Sequence, residues 1–126
     1  MSMLNPLARA RGKGSAKRGV DHWFAQRASA VLLLFLVAWL VYAMVNLAGA
    51  DYEQAAGFVG RPHNAALMAL TLVTLLYHAV LGLQVVIEDY VHQPASEFLL
   101  HFLVRAGALL GGIYGLIIII KLALGA

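Results

Sequence analysis

The sequence predicts an all-α membrane protein with three transmembrane helices. Of its 126 residues, 62% are hydrophobic and 12% are charged, and the mean hydropathy is +0.81. A water-soluble domain of this size could not bury so much apolar surface, because small domains leave a large part of their surface exposed. These numbers exclude a soluble enzyme, a disordered tail and a nucleic-acid-binding module, and they indicate lipid as the surroundings.

The first helix is predicted at about residues 26–49, after a basic N-terminal arm of residues 1–22. From Ala28 to Ala50 there are 23 residues without a formal charge, and a helix of that length spans about 34 Å, enough for the hydrocarbon core. Six of the nine Lys and Arg residues precede this run. Positive charge on this side predicts a cytoplasmic N-terminus. The alternative for the segment before Asp21 is a transit peptide.

The second and third helices are predicted at about 62–89 and 97–124, which makes residues 23–126 one three-helix domain. Residues 62–87 carry no formal charge, and the third run is interrupted by Arg105 and Lys121. Pro62 suits a first helical turn, and Pro94 ends the preceding connection. Short polar connections favour antiparallel neighbours, so the arrangement is up-down-up and the C-terminus lies outside.

Glycines recur along the third helix. Gly107, Gly111 and Gly115 are four residues apart, and Gly112 lies beside them. Such a stripe allows close approach of another backbone in lipid. It serves packing against the first two helices, a partner subunit, or both.

His78 lies deep in the second apolar run. Ten residues separate it from Glu88, about 15 Å of helix, which places it near the middle of the bilayer. The imidazole either bonds to a neighbouring helix or acts as a ligand or proton relay. At 100° per residue, Gly82, Val85 and Asp89 share its face. Gly82 leaves room for helix packing or for a flat macrocycle. If His78 binds haem, a partner chain must supply the opposite ligand, because the other histidines lie nearer to helix ends, namely His22, His63, His92 and His101.

Two further polar positions have alternative interpretations. Arg27 is either a positively charged anchor behind the interfacial Trp23 or a clamp on an anionic group such as a haem propionate. Arg105 is a weaker candidate for the same role. Tyr90 is either an interfacial aromatic or a hydrogen-bond donor to a quinone carbonyl, with Asp89 beside it.

The segment from Tyr77 to His92, YHAVLGLQVVIEDYVH, closely resembles the second helix of the hydrophobic membrane anchor subunit of succinate dehydrogenase. That family shows a His, a Gly four residues later, and an Asp-Tyr pair eleven and twelve residues after the His. Gly19-Val20, Trp23 and the run Arg27-Ala28-Ser29-Ala30 are similar to the segment that leads into the family's first helix. The family's entry into that helix can carry His then an acid, whereas this chain has Asp21-His22, so His22 is left out of the expected site.

The resemblance implies an anchor that is not catalytic by itself. It implies packing with a second three-helix anchor, the cytochrome b subunit, around haem b, and docking of a flavoprotein and an iron–sulfur subunit. His78 would be one axial ligand of the haem iron, and Arg27 would lie near the propionates. Tyr90 would bind ubiquinone, with Asp89 supporting the quinone site. The setting would be the tricarboxylic acid cycle and respiratory chain of a bacterial inner membrane, with the mitochondrial inner membrane as the second candidate.

Two alternatives stay open at this point. One is an anchor of another haem-b quinone oxidoreductase, such as fumarate reductase. The other is a haem-free assembly or scaffold protein in which His78 is hydrogen-bonded and binds nothing. The sequence contains no phosphate-loop or nucleophile motif and no cysteine, so no catalytic residue is predicted within the chain.

Overall fold

The computed structural model describes residues 16–125, with side chains described from Gly19 onward. Four α-helices account for most of this range: α1 (Ala16–Asn46), α2 (Tyr52–Gly60), α3 (Pro62–Tyr90) and α4 (Pro94–Ala123). Residues 16–125 contain no strand. Three of the helices, α1, α3 and α4, are long and apolar enough to cross a bilayer. The prediction of an all-α membrane protein with three spans is therefore confirmed.

The helix ends differ from the predicted ones mainly at α1. This helix begins at Ala16, ten residues before its predicted start, and its first three residues, Ala, Lys and Arg, are good helix formers whether or not lipid surrounds them. Residues 16–22 of the predicted basic arm are thus helical, and residues 1–15 of that arm lie outside the described residues. The predicted ends of α3 and α4 agree with the structure to within three residues.

The connection between α1 and α3 contains a short helix, α2, that was not predicted from the sequence. A turn after Asn46 reverses the chain at Gly49, whose positive φ of 84° favours glycine. The Asp51 carboxylate then caps α2 by accepting a hydrogen bond of 2.8 Å from the Gln54 backbone N–H. The buried Asn64 side chain donates to the Phe58 carbonyl at 2.8 Å. This bond ties the end of α2 to the first turn of α3.

The helix α3 is central, since it packs on each of the other three helices. Within the described range, α1 and α4 make no backbone contact with each other. The three long helices therefore do not close into a bundle with a shared interior.

The contact between α1 and α3 follows one stripe on each helix. On α1 the buried residues recur at intervals of three, four or seven, at Ser29, Leu33, Leu36 and Ala43. On α3 the corresponding stripe contains the buried Thr71, Thr74 and Leu81, with the half-buried His78 between them. Alternating spacings of three and four residues keep side chains on one helix face. His78 consequently faces α1.

The opposite face of α3 contacts the glycines of α4. A Cβ atom built on Gly115 would lie 2.6 Å from the Leu72 Cδ2 atom, and one built on Gly112 would lie 3.2 Å from the Leu76 Cδ1 atom. Gly107 and Gly111 have nothing within 4 Å of such an atom. Of the two uses considered for the glycine stripe, packing within the chain therefore applies to Gly112 and Gly115.

Candidate functional site

A cleft of about 670 Å³ lies between the N-terminal part of α1 and the C-terminal third of α3. On the α1 side the cleft is lined by an imidazole, an indole, an amide and a guanidinium. On the α3 side the lining includes a glycine and a carboxylate. The lining residues are Gly19, His22, Trp23, Gln26, Arg27, Gly82, Gln84, Val85 and Glu88. Gly82 widens the cleft opposite Gln26, because a Cβ atom there would lie 3.4 Å from the Gln26 side-chain nitrogen.

His78 is adjacent to this cleft but does not line it. Its Nδ1 atom lies 2.9 Å from the Ser29 hydroxyl oxygen. Its Nε2 atom lies 3.4 Å from the Gln26 side-chain nitrogen, which is longer than the usual 2.9–3.0 Å of a hydrogen bond. The amide of Gln26 thus stands between the imidazole and the cleft. In this conformation His78 is hydrogen-bonded to a neighbouring helix, which is one of the roles considered for it. Its weaker contact is the one on the cleft side.

Arg27 lines the cleft, as expected for a residue that binds a group there. Its guanidinium carbon lies 5.0 Å from the centre of the Trp23 ring, a distance typical of a cation–π contact. The same two residues were considered as an interfacial anchor, and the geometry is compatible with both roles. The side chain is exposed, and no carboxylate among the described residues lies within ion-pair distance of it. Its donors are therefore available to an anionic ligand.

Two polar atoms at the cleft are shielded from solvent and have no hydrogen-bond partner among the described residues. They are Nε2 of His22 and Oε1 of Gln26. A buried polar atom without a partner is energetically costly, so such atoms indicate a place where a ligand or another chain supplies the missing bond. His22 was left out of the expected site, and neither Gln26 nor Ser29 was among the predicted site residues. One signal was present: these residues recur at intervals of three and four along α1, on the face that proved to contact α3.

The other predicted site residues lie outside the cleft. Asp89 and Tyr90 end α3 on its exposed surface, and the carboxylate that lines the cleft is that of Glu88. No side-chain hydrogen bond within the described residues involves Asp89 or Tyr90. Arg105 is exposed on α4 beside Phe98 and Phe102, and within the described range α4 makes no backbone contact with α1. The structure therefore brings Arg27 and Gly82 together near His78 and leaves the other three apart.

Few side chains near the cleft could bind a metal ion. Among residues 16–125 there is no group of three or more His, Asp or Glu side chains arranged to hold a metal ion. His78 is therefore an isolated imidazole, able to give one bond through a ring nitrogen. Such a donor suits a metal whose remaining ligands come from a macrocycle or from another chain.

Comparison with known proteins identifies the family. The sequence profile described as "Succinate dehydrogenase/Fumarate reductase transmembrane subunit" matches residues 1–113. The chain belongs to this family. Curated relatives include the succinate dehydrogenase hydrophobic membrane anchor subunit of Rickettsia bellii, 39% identical over 85 residues that cover 68% of each chain. The subunit of the same name from Paracoccus denitrificans is 32% identical over 90 residues, 71% of this chain and 70% of the relative.

A third relative extends the comparison. The succinate dehydrogenase membrane anchor subunit of Reclinomonas americana is 32% identical over 96 residues, which cover 74% of this chain and 80% of the relative. The resemblance inferred from the His-to-Asp-Tyr segment is thereby confirmed. As a succinate dehydrogenase membrane anchor, the chain is expected to work within a membrane complex, and the exposed apolar surface of its three spans agrees with that setting.

Proposed function

We propose that this anchor helps bind haem b and ubiquinone in a succinate:quinone oxidoreductase and docks its flavoprotein and iron–sulfur subunits. Electrons would pass from succinate to quinone in the tricarboxylic acid cycle and respiratory chain, and the chain alone would not be catalytic. The observation that carries the proposal is the position of His78. It lies midway along the central helix, one amide away from a cleft that contains Arg27 and two unpartnered polar atoms.

The residues at the cleft fit a haem. A haem needs axial donors, room for a flat ring, and partners for its two carboxylates. His78 offers a ring nitrogen, Gly82 leaves space beside α1, and the Arg27 guanidinium can bind a carboxylate with two parallel hydrogen bonds. The unpartnered His22 Nε2 atom adds a further polar group on the same wall.

His78 would bind the iron, and Arg27 would hold the propionates. When bound, the haem supplies one-electron transfer at a potential tuned by its axial ligands. The opposite axial ligand would come from a second membrane anchor, since the other described histidines lie near helix ends or in connections. Arg27 would also neutralise carboxylate charge near the membrane boundary, where an unpaired anion is costly.

Tyr90 and Asp89 would serve the quinone. Tyr90 is 79% exposed at the end of α3, so its hydroxyl is available to donate a hydrogen bond to a quinone carbonyl. Asp89 would support the site and assist proton entry from the water boundary. With a cytoplasmic N-terminus in a bacterial inner membrane, this end of α3 faces the side on which the soluble subunits would dock.

The family description also names fumarate reductase, which keeps an anchor of that enzyme as the second candidate. The two functions share the membrane fold and differ in the direction of the reaction. Succinate-driven quinone reduction by the isolated complex, measured against fumarate reduction by a quinol, distinguishes them.

The test of the proposed function is an optical spectrum of the complex purified from native membranes through a tag on this chain. We expect a b-type signal in the reduced-minus-oxidised spectrum that responds to succinate. Replacing His78 by Ala should abolish or shift that signal, because the axial nitrogen is lost. His92→Ala is the matched control, since His92 lies exposed just beyond α3 and should leave the spectrum unchanged.

Absence of haem from the native complex, or a His78→Ala spectrum identical to wild type, would remove the axial-ligand assignment. Where haem is absent, the chain would be a haem-free anchor if succinate-driven quinone reduction still co-purified with it, whereas an unchanged His78→Ala spectrum would assign the iron ligand to another residue. Loss of that activity as well would leave the scaffold interpretation.

A further inference from the structure

Ser29 contacts the Nδ1 edge of His78 and does not line the cleft. Its side-chain oxygen lies 2.9 Å from His78 Nδ1 and 3.0 Å from the backbone carbonyl oxygen of Gln26. The residue is 7% exposed and lies one helical turn after Gln26. No other side chain among the described residues is hydrogen-bonded to His78 Nδ1.

The two contacts of Ser29 can both be hydrogen bonds in only one imidazole tautomer. A serine hydroxyl has one proton, and a carbonyl oxygen can only accept. When Ser29 donates that proton to the Gln26 carbonyl, its oxygen accepts a hydrogen bond from His78 Nδ1–H. In a neutral imidazole the other nitrogen, Nε2, then carries the lone pair.

The contact on the other side of the ring agrees with this assignment. The Gln26 side-chain nitrogen, which can only donate, lies 3.4 Å from His78 Nε2. The three residues form a closed ring of hydrogen bonds. The Gln26 amide donates to His78, His78 donates to Ser29, and Ser29 donates to the Gln26 backbone carbonyl. The Nε2 lone pair is therefore held on the side nearest the cleft, covered by a long contact from a flexible amide.

We propose that Ser29 is a positioning residue that fixes His78 in the Nδ1–H tautomer and orients its Nε2 lone pair for the haem iron. This inference rests on the proposed haem ligation by His78. Ser29 does not line the cleft and would act only through the imidazole. An acceptor on the remote N–H makes a metal-bound imidazole more electron-donating, which stabilises the more positively charged metal.

Removal of the hydroxyl should consequently raise the haem midpoint potential. We expect Ser29→Ala to shift the ferric–ferrous balance by up to tenfold toward the ferrous form, about 59 mV for a one-electron couple. The low-spin electron paramagnetic resonance signal of the ferric haem should move as well. Haem retention should fall, since loss of such a supporting bond typically weakens metal binding by about 10- to 100-fold.

The experiment uses the whole complex purified from membranes and compares two pairs of variants. The first pair is wild type and Ser29→Ala. The second pair is Ser29→Thr and Ser29→Val, whose side chains have nearly the same shape and differ in the hydroxyl. Redox titration and electron paramagnetic resonance are measured for each, together with haem content per complex. If the complex with Ser29→Ala does not assemble, the comparison of Ser29→Thr with Ser29→Val still tests the proposal.

A raised potential and shifted resonance in Ser29→Val, with Ser29→Thr close to wild type, would support the proposal. Equal potentials in all four proteins would overturn it, and so would equal shifts in Ser29→Thr and Ser29→Val, since shape rather than hydrogen bonding would then be responsible. The His78→Ala variant distinguishes failure of the proposed haem ligation from failure of the proposed role of Ser29. If that variant alters the haem signal and the Ser29 variants do not, the positioning role fails while the haem ligation stands.

Discussion

At the scale of single residues, the pairing of His78 explains how an imidazole is tolerated midway along an apolar helix. A polar group without a partner in hydrocarbon costs several kcal/mol. Both ring nitrogens of His78 have a polar neighbour on α1, at 2.9 Å and 3.4 Å. The unequal distances mean that the cleft-side contact is the easier one to exchange for another ligand.

Tyr90 provides a prediction that is independent of the haem. Replacing it by Phe removes the hydroxyl and leaves the ring, so helix packing should be unaffected. We expect succinate-driven quinone reduction to fall by about tenfold or more, which corresponds to losing one or two hydrogen bonds' worth of free energy at the quinone. The haem spectrum should stay as in wild type.

The control for this experiment is Tyr77→Phe, because Tyr77 is also an exposed tyrosine of α3 but lies thirteen residues earlier in the chain. Quinone reduction should be unchanged in that variant. An equal loss in both variants, or none in Tyr90→Phe, would contradict the assignment of the quinone contact to Tyr90.

The residues of the site were predictable only in part. His78 and Arg27 stand out in the sequence because an imidazole in an apolar run and a cation at its entrance each need a physical reason. Gln26 and Ser29 were not found, since their role depends on how far α1 is shifted and rotated against α3. Hydropathy does not contain that information, and an uncharged serine in an apolar run is common.

At the scale of helices, the contact between α3 and α4 joins leucines of one helix to glycines of the other. Leu72 and Leu76 reach the positions that side chains at Gly115 and Gly112 would occupy. Without a hydrophobic force between helices in lipid, such close packing is a main source of their association. The rotation of α4 about its axis is therefore set by which glycines face α3.

A disulfide experiment tests this rotation directly, since the chain has no native cysteine. We expect a Leu76→Cys, Gly112→Cys double variant to cross-link rapidly in membranes under mild oxidation, because a side chain at position 112 meets that of Leu76. Replacing Leu by Cys also creates the space that the second cysteine needs. Cross-linking is measured by reaction of the remaining free thiols with a maleimide.

The matched control moves one cysteine by a single residue. Gly111 lies about 100° around α4 from Gly112, and nothing lies within 4 Å of a Cβ atom built there. A Leu76→Cys, Gly111→Cys variant should cross-link far more slowly. Equal rates for the two pairs would mean that α4 has a different rotation or turns freely.

The helices themselves were largely predictable, because apolar runs of more than 20 residues with at most two charges have few other stable forms in a membrane protein. The start of α1 and the whole of α2 were not. Residues 52–60 contain two glycines and lie in a connection, so their helix depends on the Asp51 cap and on packing against α3 and α4. Such tertiary support is not visible in a local sequence window.

At the scale of the whole molecule, the chain has little interior of its own. Among residues 19–125, seven apolar residues are buried, of which Ile119 is the one on α4. A stable three-helix protein in water would need a much larger core. This arrangement is stable only in lipid or against other subunits, and it accords with a chain that works within a complex.

Membrane orientation is the prediction that belongs to this scale. With the N-terminus in the cytoplasm, Glu53 lies outside and His92 lies inside. Both residues are exposed. A single cysteine at position 53 should therefore react with a membrane-impermeant maleimide in bacterial cells whose outer membrane has been permeabilised, and one at position 92 should react only after the inner membrane is opened. Labelling is detected by a mass shift on a gel.

A positive reaction at position 92 and none at position 53 in those cells would reverse the orientation. It would also place Tyr90 on the opposite side of the membrane from the one proposed for the soluble subunits. Expression of the chain alone keeps partner subunits from covering either position.

The continuity of α3 restricts which sequence changes this part of the chain can accept in evolution. His78 and Tyr90 are twelve residues apart on one uninterrupted helix, which fixes their separation along the axis at about 18 Å and their relative direction at about 120°. Substitutions between them leave both values intact. A single inserted or deleted residue would turn Tyr90 by about 100° and move it by about 1.5 Å. The number of residues between His78 and Tyr90 therefore sets their relative position. This stretch of α3 tolerates changes in composition but not changes in length.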